Sequence, residues 1–324
     1  MKVENFKRCS PKILPSELEL MPVNEDRKNM FIALFGSTLI SFAPLFYLYS
    51  ETNPVTGAFF RMAYALPVLI LLIFLLNSKD TRSRESRSLT LFAGLLISLD
   101  FVGYHTAIDY IGTGIATMIG NSQVIIVTLV SWKFLGEKPN KSILFALPVV
   151  VLGLALISGI WDDQPYGEDP FKGVIAGVFA AIFYSSFLIV YRYSNREMAP
   201  AQNLQFDATA GAAIGLLLIG IMPLNSLGVE PINLQPAFPN HAWLILLAIC
   251  CQVAGWIAIT YALPRLPGAK TSFAVLLQPV LTIIWGLLIL EEEPSLQQSL
   301  GILLILGSVI SVTIFGNTRV NTEG

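Results

Sequence analysis

Charge is what this sequence has least of. Only 13% of its 324 residues are Asp, Glu, Lys or Arg, about half the share of a soluble domain, while 54% are hydrophobic. A water-soluble fold of this length could not hide that much apolar surface. Cysteine is scarce as well. Cys9 and the adjacent Cys250 and Cys251 offer no metal-ligand spacing, and two neighbours inside an apolar run read as packing residues, not a disulfide. The two histidines, His105 and His241, are too few for a histidine-clustered metal centre. No phosphate-cradling Gly-Lys-Ser/Thr loop occurs, which excludes ATP hydrolysis by this chain, and no nucleophile elbow supports a Ser-His-Asp set. No cofactor, metal, catalytic residue or nucleic-acid partner is therefore expected. Residues 1–28 are polar, with Pro11, Pro15 and Pro22, and lack the apolar core of a signal peptide. They read as a polar cytoplasmic tail, as do residues 317–324.

The apolar residues come in blocks of about twenty, the length a helix needs to cross roughly 30 Å of hydrocarbon. Blocks bounded by charge, Pro or Gly fall near 30–49, 55–76, 89–110, 112–134, 142–160, 171–191, 204–224, 242–262, 268–290 and 297–316. The expected fold is an all-α membrane protein with ten transmembrane helices.

Positive charge tests that count, because Lys and Arg concentrate in cytoplasmic joints. With a cytoplasmic N-terminus, every one of the 20 Lys and Arg except Arg61 and Lys172 falls on the inner side. The outer joints are acidic, with Asp162, Asp163, Glu168 and Asp169 in one and Glu291, Glu292 and Glu293 in another. Adding or dropping a span would scramble the alternation, so both termini are expected in the cytoplasm. A gapless offset of 155 lays residues 112–139 over 267–294, matching Gln123 to Gln278, Leu135 to Leu290, Glu137 to Glu292 and Pro139 to Pro294. Five spans separate the copies, so two halves, 29–160 and 171–316, are expected to be inverted in the membrane, a plan that recurs among secondary transporters.

Several stretches resemble the EamA-type branch of the drug/metabolite transporter superfamily: SFAPLF at 41–46, AFFR at 58–61, SLDFVGYHTAIDYIG at 98–112, FLGEKP at 134–139, and LPRLPGAKTSFAVLLQPVLTIIWGLLILEEEP at 263–294. Two positions depart from the family's pattern. Its usual mid-helix proline in the first repeat is Val124 here, and Gly136-Glu137 becomes Glu291-Glu292 in the second. The resemblance implies ten helices as two inverted five-helix repeats around a central cavity, and movement of amino acids or other small metabolites across a membrane.

Ionisable groups buried in lipid are costly, so each one within a span is a candidate functional residue. Asp100 sits near the middle of the third span, with His105 and Asp109 sharing a face nearer the outside. Asp100 and His105 could bind a substrate amine or exchange protons with it; alternatively Asp100 pairs with Arg61 and pins spans two and three. Arg61 and its repeat counterpart Asp207 are read as structural or gating residues. Asn121, Gln123, Gln252 and Gln278 could hydrogen-bond a polar substrate or glue helices together, and Tyr104 and Trp256 could line the same pocket. Pro279, after Gln278, must free a backbone carbonyl and bend its helix.

The composite expectation is a secondary transporter, exporting a neutral, zwitterionic or cationic metabolite by alternating access, with protons as a candidate coupling ion and lipids as its surroundings. A bacterial inner membrane is the expected location. The alternatives are an intramembrane enzyme using Asp100 and His105, and a non-transporting receptor or scaffold.

Overall fold

The structure is a computed structural model in which residues 23–135, 141–196, 199–224, 228–262, 265–266 and 268–315 are described. Most of the expected tails, and Glu137 and Pro139 at the end of the first repeat, lie outside the described residues. The described chain is helical: α1 (Val23–Ser41), α2 (Ala43–Tyr49), α3 (Pro54–Leu75), α4 (Arg84–Ile111), α5 (Thr113–Asn121), α6 (Gln123–Leu135), α7 (Lys141–Ile157), α8 (Pro170–Ser194), α9 (Ala201–Ile221), α10 (Asn240–Leu246), a π-helical stretch (Leu247–Gly255), α11 (Trp256–Ala262), α12 (Gly268–Ile289) and α13 (Leu296–Phe315). Helix α1 starts inside the segment expected to be tail.

Six helical segments are long and apolar enough to cross a membrane among the described residues: Arg27–Tyr49, Pro54–Leu75, Arg84–Ile111, Pro170–Ser194, Ala201–Ile221 and Asn240–Ala262. Four shorter apolar helices, Thr113–Val127, Leu144–Ile157, Ala274–Ile289 and Leu296–Val312, occupy the other expected spans. The bundle is inverted in polarity relative to a soluble domain. Phe74, Phe145 and Leu288 are 78%, 75% and 75% exposed, whereas Arg61, Asp100, Gln123, Gln252 and Asp207 are buried. With no water in hydrocarbon to satisfy backbone groups, helices with an apolar outside are the arrangement such a chain can adopt. The protein is integral to a membrane.

Local sequence sets the helix starts. Asn53 accepts a hydrogen bond from the Thr56 N–H at 2.8 Å and Pro54 fills the first helical position, which together begin α3. Ser83 caps α4 and Asp169 caps α8 in the same way. Gly112, at φ 79°, makes the sharp joint between α4 and α5.

Three helical stretches are interrupted partway along the described residues. α1 gives way at Phe42, where Pro44 opens α2. α5 and α6 are separated at Ser122 without any proline; there Asn121 Nδ2 donates to the Thr117 carbonyl at 2.8 Å. α10 widens into the π-helical stretch that carries Cys250, Cys251 and Gln252, a feature frequent at functional sites.

Helix α4 is central, packing on α8 and α9, while α7 pairs with α13 and α1 with α12. Its crossing with α9 depends on glycine. A Cβ on Gly211 would overlap the Leu91 carbonyl, and one on Gly94 would overlap that of Ala208; small residues allow this backbone contact. Gly211→Val should therefore cost about 1–3 kcal/mol through overpacking, lowering the melting temperature in detergent followed by tryptophan fluorescence. Gly120→Ala, at a position where a Cβ meets nothing within 4 Å, should leave it unchanged.

Candidate functional site

The interior polar residues converge where α3, α4 and the π-helical stretch meet. Arg61, on the third turn of α3, is 3% exposed. Its Nε donates to Gln252 Oε1 at 3.0 Å, and Gln252 Nε2 in turn donates to the Thr209 hydroxyl at 3.3 Å. The guanidinium carbon lies 4.4 Å from the centre of the Phe101 ring, a cation–π contact. The guanidinium is therefore fixed on one edge and one face. Its two terminal nitrogens make no hydrogen bond to the described residues.

Asp100 is 9% exposed and makes no hydrogen bond or ion pair to the described residues. It lies within Coulombic range of Arg61, yet no ion pair within 4.0 Å joins the two. The direct pairing of Asp100 with Arg61 considered from the sequence is thus not formed. By helical rise Arg61 is about 10 Å from the start of α3 and Asp100 about 16 Å from the end of α4, so in this antiparallel pair the two charges occupy neighbouring depths.

Tyr104, Tyr184 and Trp256 flank this space and are half-buried. The Tyr104 hydroxyl bonds the Thr117 hydroxyl at 2.6 Å, and Trp256 packs edge-on against Tyr184. Gln123 is buried, and its Oε1 has no hydrogen-bond partner among the described residues. A buried amide oxygen left bare costs about 1–3 kcal/mol, so a bound polar group would relieve it. Gln278 is half-buried on α12, directly before buried Pro279, and no hydrogen bond joins it to Gln123. Asn121 donates to the Thr117 carbonyl of its own helix at 2.8 Å.

His105 and Asp109 are separate from this group. The His105 ring stacks on Tyr47 with centroids 3.8 Å apart, and its Nδ1 contacts the Pro54 carbonyl at 3.2 Å, leaving 1% exposure. Asp109 is exposed and accepts from the Tyr47 hydroxyl at 3.0 Å. Tyr261 lies under Arg265 near the surface. Tyr47 and Phe101 were not singled out in the sequence, because an aromatic letter in an apolar run carries no signal of what it faces.

Asp207 is at the end of the bundle where the basic joints gather. Arg82 Nη2 reaches it at 2.7 Å and Asp80 at 2.8 Å, and Arg87 Nε is 3.5 Å from both. Arg82 also donates to Thr90 and to the Asn203 carbonyl. This cluster ties the joint between α3 and α4 to the start of α9 through Asp207. At the opposite, acidic end, Glu292 is 5% exposed and accepts from the Thr113 and Gly114 N–H groups and the Thr113 hydroxyl. The first N–H groups of α5 have no helical partner, and the carboxylate satisfies them. Two clefts open at the two ends, one of about 350 Å³ beside Arg84, Arg87 and Asp207 and one of about 340 Å³ beside Glu51 and Glu230. Neither contains Asp100 or Arg61.

The basic-end cluster has a pH signature. Hydrogen bonds from Arg82 hold the Asp80 carboxyl below the usual carboxylate range. Its contribution is complete above the unfolded value near about pH 4 and is lost as pH falls through the depressed folded value. Asp80→Asn should flatten the acid limb of the melting-temperature profile below about pH 4, with a smaller change near neutrality than Asp207→Asn. Asp207→Asn, which removes a charged acceptor from buried Arg82, should cost about 1.5–3 kcal/mol at neutral pH.

The EamA-like transporter family matches this chain twice, over residues 27–159 and 171–314. A protein named as an uncharacterized transporter from Helicobacter pylori is 23% identical over 81% of this chain and 86% of its own length. The pseudopaline exporter CntI of Pseudomonas aeruginosa is 26% identical over 82% of this chain and 88% of its own. A putative sugar uptake protein of Listeria monocytogenes is 25% identical over 54% of this chain and 56% of its own. A crystal structure superposes with a TM-score of 0.59 at 16% identity, covering 90% of this chain and 98% of that one, which speaks to the fold alone. This chain belongs to the EamA-like transporter family.

Proposed function

We propose that this protein is a secondary carrier of ten spans, arranged as two inverted five-helix repeats with both termini in the cytoplasm. It moves a small neutral, zwitterionic or cationic metabolite, an amino acid or related compound, across a bacterial inner membrane by alternating access. The observation that carries this reading is Asp100: a carboxylate at mid-depth of an apolar bundle, with no hydrogen-bond or ionic partner among the described residues and residual exposure, flanked by half-buried Tyr104 and Trp256. A charge so placed is costly unless a ligand or water meets it. The paired interruptions at Ser122 and in the π-helical stretch leave backbone able to shift beside it.

Export is the favoured direction, supported by the relative named as an exporter, which matches more of this chain than the relative named for uptake. Proton coupling is assigned to Asp100. His105 is less suited, being enclosed between Tyr47 and Pro54. The same enclosure argues against an intramembrane enzyme, since His105 and Asp100 share no hydrogen bond and cannot act as a joined acid and base.

The test is uptake of labelled amino acids and amines by proteoliposomes containing the full chain, with and without an imposed pH gradient. Saturable flux that follows the gradient and falls at least about tenfold in Asp100→Asn supports a proton-linked carrier centred on that residue. Undiminished flux in the variant removes Asp100 from the mechanism, and no flux for any solute removes the amino-acid and amine reading.

A further inference from the structure

Two opposite charges inside one low-dielectric space would ordinarily be expected to meet, because a direct pair offsets part of the desolvation cost of each. Arg61 and Asp100 do not meet. Both remain without an ionic partner within 4.0 Å among the described residues, although each lies within the other's Coulombic range. The separation is built in. Gln252 holds the Arg61 Nε edge at 3.0 Å, Thr209 holds Gln252, and Phe101 lies under the guanidinium plane at 4.4 Å. What stays free is the fork of terminal nitrogens, the part of arginine whose geometry matches a carboxylate. On α4, one residue before Phe101, the free group is a carboxylate.

We infer that Arg61 and Asp100 form a two-point clamp for a zwitterion, the guanidinium fork taking the substrate's carboxylate and Asp100 its ammonium group. The inference rests on the carrier reading above, and it changes the role of Arg61 from a structural or gating residue to a substrate contact. Charge balance in the site supplies the selectivity. A substrate with both charges leaves neither protein charge uncompensated. A bare amine leaves Arg61 unmatched, and a bare acid leaves Asp100 unmatched, in a space where an unmatched charge is expensive. Specificity of this kind is strong because the site's own polar groups are stranded by the wrong ligand. Gln252 is a positioning residue: it aims the fork and does not itself contact the substrate's charged ends.

The aromatic flank of Phe101, Tyr104, Tyr184 and Trp256 makes L-phenylalanine a suitable first probe, with phenethylamine lacking the carboxylate and 3-phenylpropionate lacking the amine. L-Alanine, ethylamine and propionate form a second set that removes the ring. Thermal-shift titration of the purified full chain and counterflow in proteoliposomes are run with both sets. In at least one set the wild type should respond to the amino acid at a concentration about tenfold or more below that needed for either analogue. Arg61→Gln should bring the amino acid down to the level of its amine, and Asp100→Asn down to the level of its acid. Arg61→Lys keeps the charge and loses the fork, so it should recover only part of the preference and guards against a variant that fails to fold.

Equal response to amine and amino acid in the wild type overturns the clamp, as does a folded Arg61→Gln that keeps the preference. Flux of an amine without discrimination against it leaves the carrier standing and the clamp refuted. Discriminating binding without counterflow does the reverse. No response to any of the six probes by either measurement overturns the clamp.

Discussion

Arg61 is a permanent cation in the interior of an apolar bundle, and the surrounding structure is organised by the need to hold it there. Its guanidinium cannot shed its proton, and its position on the third turn of α3 keeps it away from the membrane surface. The structure meets the cost in parts. Gln252 takes one N–H, the Phe101 ring takes a face, and Asp100 supplies an opposite charge at a distance. Two of these contributions come from α4 and one from the π-helical stretch, so α3, α4 and that stretch are tied to one another through one side chain. The extra residue per turn in that stretch, running from Leu247 to Gly255, encloses Gln252 and so sets the direction of the acceptor that meets Arg61.

The same economy explains where helices are interrupted. An unbroken helix satisfies its own backbone and presents only side chains to its neighbours. A break exposes carbonyls and changes side-chain direction at a chosen depth, which hydrocarbon tolerates only inside the protein. The breaks at Phe42 and Ser122 and the π-helical stretch all fall at mid-helix depth, beside the polar group rather than at the lipid surface. Trp285 Nε1 and the Thr282 hydroxyl both reach Ser41 at the first break, at 2.9 and 3.2 Å, so α12 supports the chain where α1 gives way to α2. The helix ends are closed by long-range contacts. Glu292 accepts from the start of α5, and Arg82 donates to the Asn203 carbonyl and the Asp207 carboxylate in the first turns of α9, although 179 residues separate Glu292 from Thr113 and 125 separate Arg82 from Asp207.

Much of this was legible in the letters, and what was not has a common cause. An Asp, Arg or Gln inside an apolar run is visible because its cost in hydrocarbon is large, which is why Asp100, Arg61, Asp207, Gln252 and Gln123 could be chosen by sequence. Which neighbour meets each of them was hidden, because the partners are far apart in the chain and a gapless reading carries no contact information. Arg61 looked paired with Asp100 since both were charged and adjacent in depth, but the contact belongs to Gln252. His105 looked like a titrating group, and only the stacked Tyr47 shows that it has no open side. The break at Ser122 was obscured because proline is the visible sign of a bend and none stands there; the Asn121 side chain instead bonds the Thr117 carbonyl beside it. Glu292 was read as a member of an exposed acidic joint, since charge in a loop is usually solvated; its burial follows from the bare N–H groups of α5 waiting beside it.

Arg61 and Asp207 come from positions that the proposed inverted repeat makes equivalent, and their surroundings differ in a way that separates structure from function. Asp207 has cationic partners. Arg82 grips it at 2.7 Å, Arg87 approaches to 3.5 Å, and the cluster is closed by Asp80. With its charge offset by two arginines between a joint and a helix start, its work is to hold the bundle's basic end together. Arg61 has partners enough to be positioned but not enough to be satisfied, and its unsatisfied edge is the one that could receive an anion. Of two buried charges in related places, the one left incomplete is the one available to a substrate.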